Sequence, residues 1–320
     1  MKSMTHATSA ERDLRKPLSL TARIKRELWQ NRYLYILAVP IIVYYILFCY
    51  LPMFGLVISF KQYELGRGIM ESQWVGLKYF REFFCGLYFW RLLRNTLLIS
   101  FYSILFGFPA PIIFALLMNE VRQRHFKRTV QTITYLPHFI SMVVICGIIV
   151  DFLSTNGVLT QALTLFGGDK INYVGNPAYF RIIYVISDIW QDVGWSSIIY
   201  LAALTSIDQQ LYEAAVIDGA GRWKQTLHIT LPGILPTIMI MLIMRMGQVL
   251  SVGYEKIILL YGPGTYEVAD VISSYVYRMG IGSSRYSYSS AVGLFQSVVN
   301  VILLIAANMT SRRMTGTSLF

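Results

Sequence analysis

Ionisable side chains inside long apolar stretches are the first residues of this sequence that could do chemistry. Asp188 and Asp192 are four residues apart, so a helix places them on one face. Arg245 and Gln248 are three apart in a later apolar stretch, at a similar expected depth. Charged groups inside a membrane are costly and mark functional sites by default. Together with Trp195, they predict either a polar, aromatic-edged cavity that receives hydroxyls or carboxylates of a ligand, or a structural Asp192–Arg245 ion pair.

A serine and a histidine raise the alternative of hydrolytic catalysis. Ser196 lies in a Gly-x-Ser triplet, and His138 lies in an earlier apolar stretch, so the two could act as nucleophile and base of an intramembrane hydrolase. Such triplets are common by chance, and serine is frequent where membrane helices pack, so we favour this alternative less. An ion channel or receptor that uses the same aspartates and arginine is a third alternative, although the sequence contains no repeated carboxylate pattern.

Motifs for nucleotides and metals are missing from the sequence. The run Gly167-Gly168-Asp169-Lys170 has neither the spacing nor the hydroxyl residue of a phosphate loop. No His-Glu-x-x-His motif occurs, and the three cysteines have no metal-binding spacing: Cys49, Cys85 and Cys146. We therefore expect no catalytic residue, metal site or cofactor in this chain.

The segment 208–232, between the fourth and fifth apolar stretches, has the features of a surface docking element. Asp208 can cap a short helix, and Gly219 can end it in the left-handed conformation. Pro232 lies where a new helix can start without losing a hydrogen bond. The pattern predicts a helix–turn–helix whose Glu213 is exposed beside two small alanines, which could enter a groove of another protein. A simple re-entrant surface loop is the alternative.

Composition places the chain in a membrane. Hydrophobic residues make up 55% and charged residues 14% of the 320 residues, and the mean hydropathy is +0.51, so too few polar side chains are present to cover a soluble globule. We predict an all-α membrane protein with about six spanning helices. Six stretches have the necessary length of about 20 apolar residues: Leu34–Phe60, Leu92–Met118, Val130–Leu153, Phe180–Leu204, Pro232–Val252 and Ser289–Met309.

The distribution of charge indicates the orientation of these spans. The net charge of +11 comes from basic residues at the edges of apolar stretches, a pattern that disfavours nucleic-acid binding. Lys and Arg are concentrated in the first 32 residues and in the short loop 122–128, so both termini are expected in the cytoplasm. We predict a basic cytoplasmic tail at 1–32, a transmembrane domain at 33–312 with a docking loop at 208–232, and a cytoplasmic tail at 313–320. The first apolar stretch is too long for a cleaved signal peptide.

The external segment 61–91 is rich in aromatic residues. Tryptophan and tyrosine are common at the membrane–water interface, so a helix lying on the outer surface explains them. A docking surface for an extracellular partner is the alternative, and the sequence leaves both open.

The docking loop resembles a motif of known transporters. Glu213-Ala214-Ala215, Gly219, Ile229 and Leu231-Pro232 match the EAA loop of the membrane subunits of binding-protein-dependent ABC importers. The resemblance implies a type I importer permease whose loop forms a coupling helix in a cleft of a separate ATPase. Carried onto this chain, the ATPase contacts would be Glu213, Ala214, Ala215, Asp218 and Gly219.

The rest of the chain, about residues 33–312, is similar to the maltose-transporter-like branch that handles complex oligosaccharides. This resemblance implies a bacterial cytoplasmic membrane protein that forms half of an oligosaccharide pathway, with acidic fragments such as alginate or pectin oligosaccharides plausible. It also implies a second EAA permease, two ATPase subunits that bind ATP and magnesium, and an extracellular solute-binding protein. The similarity is carried by Trp74–Phe80, Arg94–Thr96, Phe108–Pro111, Tyr135–Phe139 and Ile199–Ala203.

Overall fold

The computed structural model describes residues 29–64 and 66–319, so most of the expected N-terminal tail, 1–32, lies outside the described residues. The chain divides into two units, Met1–Val57 and Ile58–Phe320. In the first unit, helix α1 (Arg32–Tyr44) carries its apolar side chains exposed along its length. The helical stretch continues to Phe60 through π-helical, α-helical and 3-10 turns, because it contains no polar break.

The second unit consists of helices and one small hairpin. Strand β1 (Lys61–Gln62) pairs antiparallel with β2 (Gln73–Trp74), with Lys61 opposite Trp74. The helices follow in the order α2 (Gly68–Glu71), α3 (Lys78–Phe84), α4 (Phe89–Tyr102), α5 (Pro109–Glu120), α6 (Arg124–Tyr135), α7 (Met142–Leu153), α8 (Val158–Leu165), α9 (Pro177–Thr205), α10 (Gln209–Ile217), α11 (Arg222–Gln225), α12 (Leu231–Met246), α13 (Tyr254–Leu260), α14 (Tyr266–Ala269), α15 (Ile272–Tyr277) and α16 (Tyr286–Thr315).

Within the described residues, five helical stretches are long and apolar enough to cross a membrane. The predicted fourth span corresponds to α9, which at 29 residues is about 43 Å long and therefore also long enough. Its aspartates and other polar side chains lower its hydropathy below that of the others. The five are Arg32–Phe60, Phe89–Glu120, Met142–Leu165, Arg222–Met246 and Tyr286–Arg313.

The predicted third span, Val130–Leu153, is wrong at its start. The first part of that stretch belongs to α6, a separate and strongly amphipathic helix, and a 3-10 turn at Leu136–Phe139 follows it. Pro137 has no N–H to donate and disfavours helical geometry in the preceding residue, so the chain breaks here. The apolar helix α7 then starts at Met142, where the Ser141 hydroxyl accepts a hydrogen bond from the Val144 N–H.

The predicted fifth span, Pro232–Val252, is wrong at both ends. The helical stretch already begins at Arg222, through α11 and a π-helical turn, and α12 ends at Met246. Glycines at positions 247 and 253 flank the non-helical segment that follows, which leads into α13. Hydropathy cannot detect this break, because Val249, Leu250 and Val252 inside it are apolar.

Helix α9 is the centre of the second unit. Near its cytoplasmic end, Tyr200 and Leu204 pack with Ile112 of α5 and Ile234 of α12 in one buried cluster. Towards its external end, Phe180 packs against α7 and α13 in a second cluster. A Cβ atom at Gly194 would lie 2.3 Å from the Thr134 carbonyl oxygen, so only glycine lets α6 approach α9 this closely. These contacts hold the polar residues of α9 between α5 and α12.

Candidate functional site

A cavity of about 220 Å³, lined by both apolar and charged side chains, lies between α5, α9 and α12. Four of the five residues that the sequence suggested for a substrate path line this cavity. An adjoining cavity of about 230 Å³ shares three of them and continues towards the external side chains of Ser100 and Tyr184. Asp188, Arg245 and Gln248 line both cavities, and Asp192 lines the first.

Both cavity carboxylates have partners within the chain. Asp188 Oδ1 lies 3.5 Å from Lys256 Nζ, and the Lys256 side chain is only 2% exposed. Asp192 Oδ1 lies 3.0 Å from His138 Nδ1, and its other oxygen accepts a hydrogen bond from the Ser196 hydroxyl. Each carboxylate therefore has a partner within the chain.

Arg245 is the exception in this arrangement. Among the described residues, no carboxylate lies within 4.0 Å of its guanidinium, so the Asp192–Arg245 ion pair considered from the sequence is not formed. The Arg245 side chain is exposed and lines both cavities together with Gln248. A guanidinium at this depth presents five N–H donors in a fixed plane, which suits a carboxylate or a set of sugar oxygens.

Trp195 lies outside the lining of the cavity. Its ring stacks on the His138 imidazole with centroids 4.5 Å apart and planes 6° from parallel. This contact fixes the imidazole in the position from which it binds Asp192. Trp195 therefore supports the cavity wall through His138 and does not touch the open space.

The geometry of Ser196 and His138 is not that of a hydrolase. A serine nucleophile needs its hydroxyl hydrogen-bonded to the imidazole that removes the proton. Here the Ser196 hydroxyl donates to Asp192, and His138 binds the other oxygen of the same carboxylate. The carboxylate thus lies between the two groups, and the Ser196 hydroxyl is not hydrogen-bonded to the imidazole.

The non-helical segment after α12 forms one end of the cavity and is held by side chains of α16. Asn300 Oδ1 accepts from the Leu250 N–H at 3.0 Å, and its amide donates to the Ser251 hydroxyl at 2.8 Å. Gln296 donates to the Leu250 carbonyl at 2.8 Å, and the Ser100 hydroxyl donates to the Val249 carbonyl. Non-helical backbone at membrane depth requires such partners, because lipid offers none.

Sequence reasoning missed two residues of this site. Lys256 follows the predicted fifth span, and Asn300 is a polar residue inside the predicted sixth span. A lysine four residues after Val252 gives little sign that it will fold back onto Asp188. An asparagine in a membrane span is the stronger signal, because polar residues there usually bind another helix or irregular backbone.

The cytoplasmic loop forms a short helix with defined ends. Asp208 caps α10 by accepting from the Gln210 N–H at 2.9 Å. At the other end, the Ala220 N–H bonds the Ala215 carbonyl and the Gly219 N–H bonds the Val216 carbonyl, at 2.8 and 3.1 Å. This pair of bonds is a Schellman motif, and Gly219 adopts the left-handed φ of +73° that it requires.

The loop is attached to the membrane helices by two polar contacts. Arg222 forms an ion pair with Glu120 at the end of α5, and the Tyr212 and Thr230 hydroxyls are 2.9 Å apart. The opposite surface is free of such contacts, and Glu213, Ala214, Asp218 and Gly219 are exposed, whereas Ala215 is half-buried. Large apolar side chains are exposed beside them: Leu211, Val216, Ile217 and Trp223.

The external aromatic residues divide into two groups. Phe83 and Phe89 pack with Leu92 in a buried cluster, so part of the aromatic content belongs to the core. Trp74 and Trp90 are 62% and 74% exposed. The exposed group therefore remains available to lipid headgroups or to an external partner.

Fold, membrane helices and cytoplasmic loop together define the class of this protein. Residues 107–316 match the family described as the binding-protein-dependent transport system inner membrane component. The chain belongs to this family and is a multi-pass permease of the inner membrane. The expected function class and location are confirmed, and the enzyme, channel and receptor alternatives are excluded. Membership of a family of membrane components also agrees with the expectation that this chain holds no cofactor.

Similar proteins place the chain more closely. It is 44% identical over 306 residues to the protein LplB of Bacillus subtilis, with 95% of each chain covered. It is also 44% identical to YteP of the same organism, a polygalacturonan/rhamnogalacturonan transport system permease, with 91% of each chain covered.

A solved structure is similar over nearly the same length. A chain of a bacterial ABC transporter involved in the import of the acidic polysaccharide alginate superposes with a TM-score of 0.85 at 44% identity. The alignment covers 92% of this chain and 99% of that one. A chain of a bacterial alginate ABC transporter in complex with an alginate pentasaccharide-bound periplasmic protein superposes equally well, with a TM-score of 0.85 at 44% identity.

Proposed function

We propose that this chain forms half of the translocation pathway of an ATP-driven importer for acidic oligosaccharides. The observation that carries the proposal is the charge balance of the cavity. Asp188 and Asp192 have partners within the chain, whereas Arg245 has none among the described residues. An unpaired cation at membrane depth is costly unless a ligand supplies the anion. A sugar carboxylate matches the planar donors of a guanidinium.

The similar proteins support an acidic substrate. Alginate and polygalacturonan both carry carboxylates along the chain, and proteins for both are similar to this one at 44% identity. In the cavity, Arg245 would bind a substrate carboxylate and Gln248 would bind neighbouring hydroxyls. Asp188 and Asp192 would accept hydrogen bonds from hydroxyls on the opposite side, and Trp195 would act indirectly by holding His138.

Transport by the complete importer in proteoliposomes tests this assignment. The probes are a galacturonate pentasaccharide and its fully methyl-esterified, neutral form. We expect Arg245→Gln to reduce uptake of the acidic probe about tenfold and that of the neutral probe much less. Arg245→Lys should retain part of the difference, because it keeps the charge. Equal uptake of both probes by the unaltered importer, or unchanged acidic uptake by Arg245→Gln, would contradict the proposal.

The cytoplasmic helix α10 is proposed as the contact with a separate ATPase. The contact residues are those of the motif, and the exposed apolar side chains around them give the surface a character that is common in protein interfaces. Arg222 and Tyr212 attach the loop to α5 and α12, so movement of α10 would be transmitted to helices that line the cavity. The proposed contacts are Glu213, Ala214, Ala215, Asp218 and Gly219.

The complete assembly in this proposal contains four further subunits. A second EAA permease would close the cavity, two ATPase subunits would bind ATP and magnesium, and a solute-binding protein would deliver the oligosaccharide. The similar transporter that was solved with a periplasmic protein supports the last of these.

Reversal of one charge tests the coupling. Glu213→Lys should reduce ATP-driven uptake at least about tenfold while the chain still reaches the membrane. Glu71→Lys, the same change at an exposed external residue, is the control and should leave uptake nearly unchanged. Full ATP-driven uptake by Glu213→Lys would overturn the assignment.

A further inference from the structure

A polar stripe runs along α6 and leads to His138, which binds a residue of the cavity lining. Arg124, Arg128, Gln131 and Tyr135 are spaced by four, three and four residues, a spacing that keeps them on one side of a helix. The 3-10 turn that follows carries His138, which binds Asp192 at 3.0 Å. Asp192 lines the cavity, so the stripe is continuous with the proposed substrate site.

The stripe covers the cytoplasmic half of the membrane. Thr134 of α6 contacts Gly194, which precedes the cytoplasmic end of α9 at Thr205 by eleven residues, or about 17 Å. Helix α6 itself has 12 residues and a length of about 18 Å, and its first residue follows the short cytoplasmic loop after α5. It therefore extends from the cytoplasm to about the middle of a hydrocarbon core of roughly 30 Å.

The two flanks of α6 have opposite character. One exposes Phe126 and Ile133, at 53% and 64%, and is followed in the 3-10 turn by Leu136, which is 62% exposed. The other carries the stripe, and within the described part of the chain no carboxylate lies within 4.0 Å of Arg124 or Arg128. Two guanidinium groups one turn apart repel each other, so this end of the stripe favours water or a bound anion. The apolar flank therefore suits lipid, and the stripe suits a water-filled passage.

We propose that this stripe is the cytoplasmic half of the substrate path, a track on which the carboxylates of an acidic oligosaccharide move from the cavity towards the cytoplasm. The proposal rests on the proposed function above for the class of substrate. The arginines provide cationic positions one helical turn apart at the exit, and Gln131 and Tyr135 provide hydrogen bonds between exit and cavity. Each contact is weak enough to be exchanged for the next.

Two other roles for the arginines lead to different results. Orientation of the helices needs only positive charge on the cytoplasmic side and is indifferent to the substrate. Binding of anionic lipid headgroups would use the same arginines at the cytoplasmic surface of the membrane, but it would not give water access to Gln131, which lies deeper along α6.

Accessibility of the two flanks to water tests the passage without any substrate. In a chain whose three cysteines are replaced by serine, Gln131→Cys probes the stripe and Ile133→Cys probes the apolar flank. A membrane-impermeant maleimide is added to inside-out vesicles that contain the complete importer, because the reagent reacts with the hydrated thiolate. We expect Gln131→Cys to react at least about tenfold faster. Equal rates, or protection of Gln131→Cys, would overturn the track.

Transport then tests the role of the charges, with the same acidic and methyl-esterified pentasaccharides as probes. We expect the double change Arg124→Gln and Arg128→Gln to reduce acidic uptake about fivefold and to spare neutral uptake. Replacing both with lysine should restore most of the acidic uptake. Arg312→Gln with Arg313→Gln removes two cytoplasmic charges away from the stripe and should have little effect.

The outcomes separate the two proposals. If the unaltered importer does not take up the acidic probe, the proposed function fails, and the acidic track fails with it. If the unaltered importer takes up the probe but the double glutamine variant is unimpaired, only the track fails. Equal loss of both probes, or equal loss in the Arg312 and Arg313 control, would assign the arginines to orientation and overturn the track.

Discussion

Lys256 Nζ lies 3.5 Å from Asp188 Oδ1 and 5.1 Å from the centroid of the Tyr184 ring. The lysine is almost fully buried, whereas about a third of the Asp188 side chain is exposed to the cavity. The pair thus joins α13 to the polar face of α9. It also neutralises one cavity carboxylate, so that Arg245 remains the unpaired charge.

Removing either partner of the Asp188–Lys256 pair should destabilise the protein, and removing both should destabilise it less than the two single losses added together. We expect Lys256→Met to lower the free energy of unfolding by about 2 kcal/mol. This is less than the loss for a fully buried pair, because Asp188 remains partly hydrated. Asp188→Asn should also destabilise, since it leaves a buried ammonium. The double variant should recover most of the loss, as measured by thermal unfolding in detergent. Additive losses would mean that the two side chains do not interact.

Substitution of Gly219 should disturb the end of α10. The left-handed φ of +73° is unfavourable for other residues, so Gly219→Ala should cost about 1 kcal/mol of local helix stability and lower ATP-driven uptake. Gly221 is the matched control, because its φ is −68° and a Cβ atom there meets nothing within 4 Å. Gly221→Ala should retain uptake. Equal effects of both changes would argue against the Schellman motif.

A side chain at Gly194 should separate α6 from α9. A Cβ atom would lie 2.3 Å from the Thr134 carbonyl oxygen, so Gly194→Ala forces a backbone shift that costs about 1–3 kcal/mol. The shift should also lengthen the His138–Asp192 contact and lower transport. Gly293→Ala on α16, where a Cβ atom has open space, should be tolerated. Thermal unfolding and uptake measured on both variants check this, and an unaffected Gly194→Ala would contradict it.

Loss of the Asn300 amide should destabilise the non-helical segment after α12. Asn300→Leu removes the acceptor of the Leu250 N–H and the donor to Ser251, at an expected cost of about 1–3 kcal/mol. Because Gln248 and Arg245 border this segment, uptake should fall as well. Asn300→Asp keeps the acceptor and should be milder in thermal unfolding. If both variants unfold at the temperature of the unaltered protein, the segment does not depend on Asn300.

The class of the protein and the cytoplasmic helix were predictable from local sequence. In a membrane, a long apolar stretch can satisfy its backbone hydrogen bonds within itself only as a helix. The five spans and α9 therefore follow from hydropathy and length. The ends of α10 follow from Asp208 and Gly219, because capping depends on neighbouring residues alone. Helical spacing also placed Asp188 and Asp192 on one face and Arg245 and Gln248 on another, and all four line one cavity. Their roles in transport remain proposals.

The partners of those residues were decided by the tertiary structure. Hydropathy cannot distinguish an apolar break from an apolar helix, so the turn at Leu136–Phe139 and the unwound segment after α12 were both placed inside spans. Once these breaks form, His138 reaches Asp192 and Lys256 reaches Asp188, across 54 and 68 residues of sequence. The sequence by itself determined which residues must cross the membrane. Only packing between distant helices decided which charges are paired and left Arg245 facing the cavity without a partner.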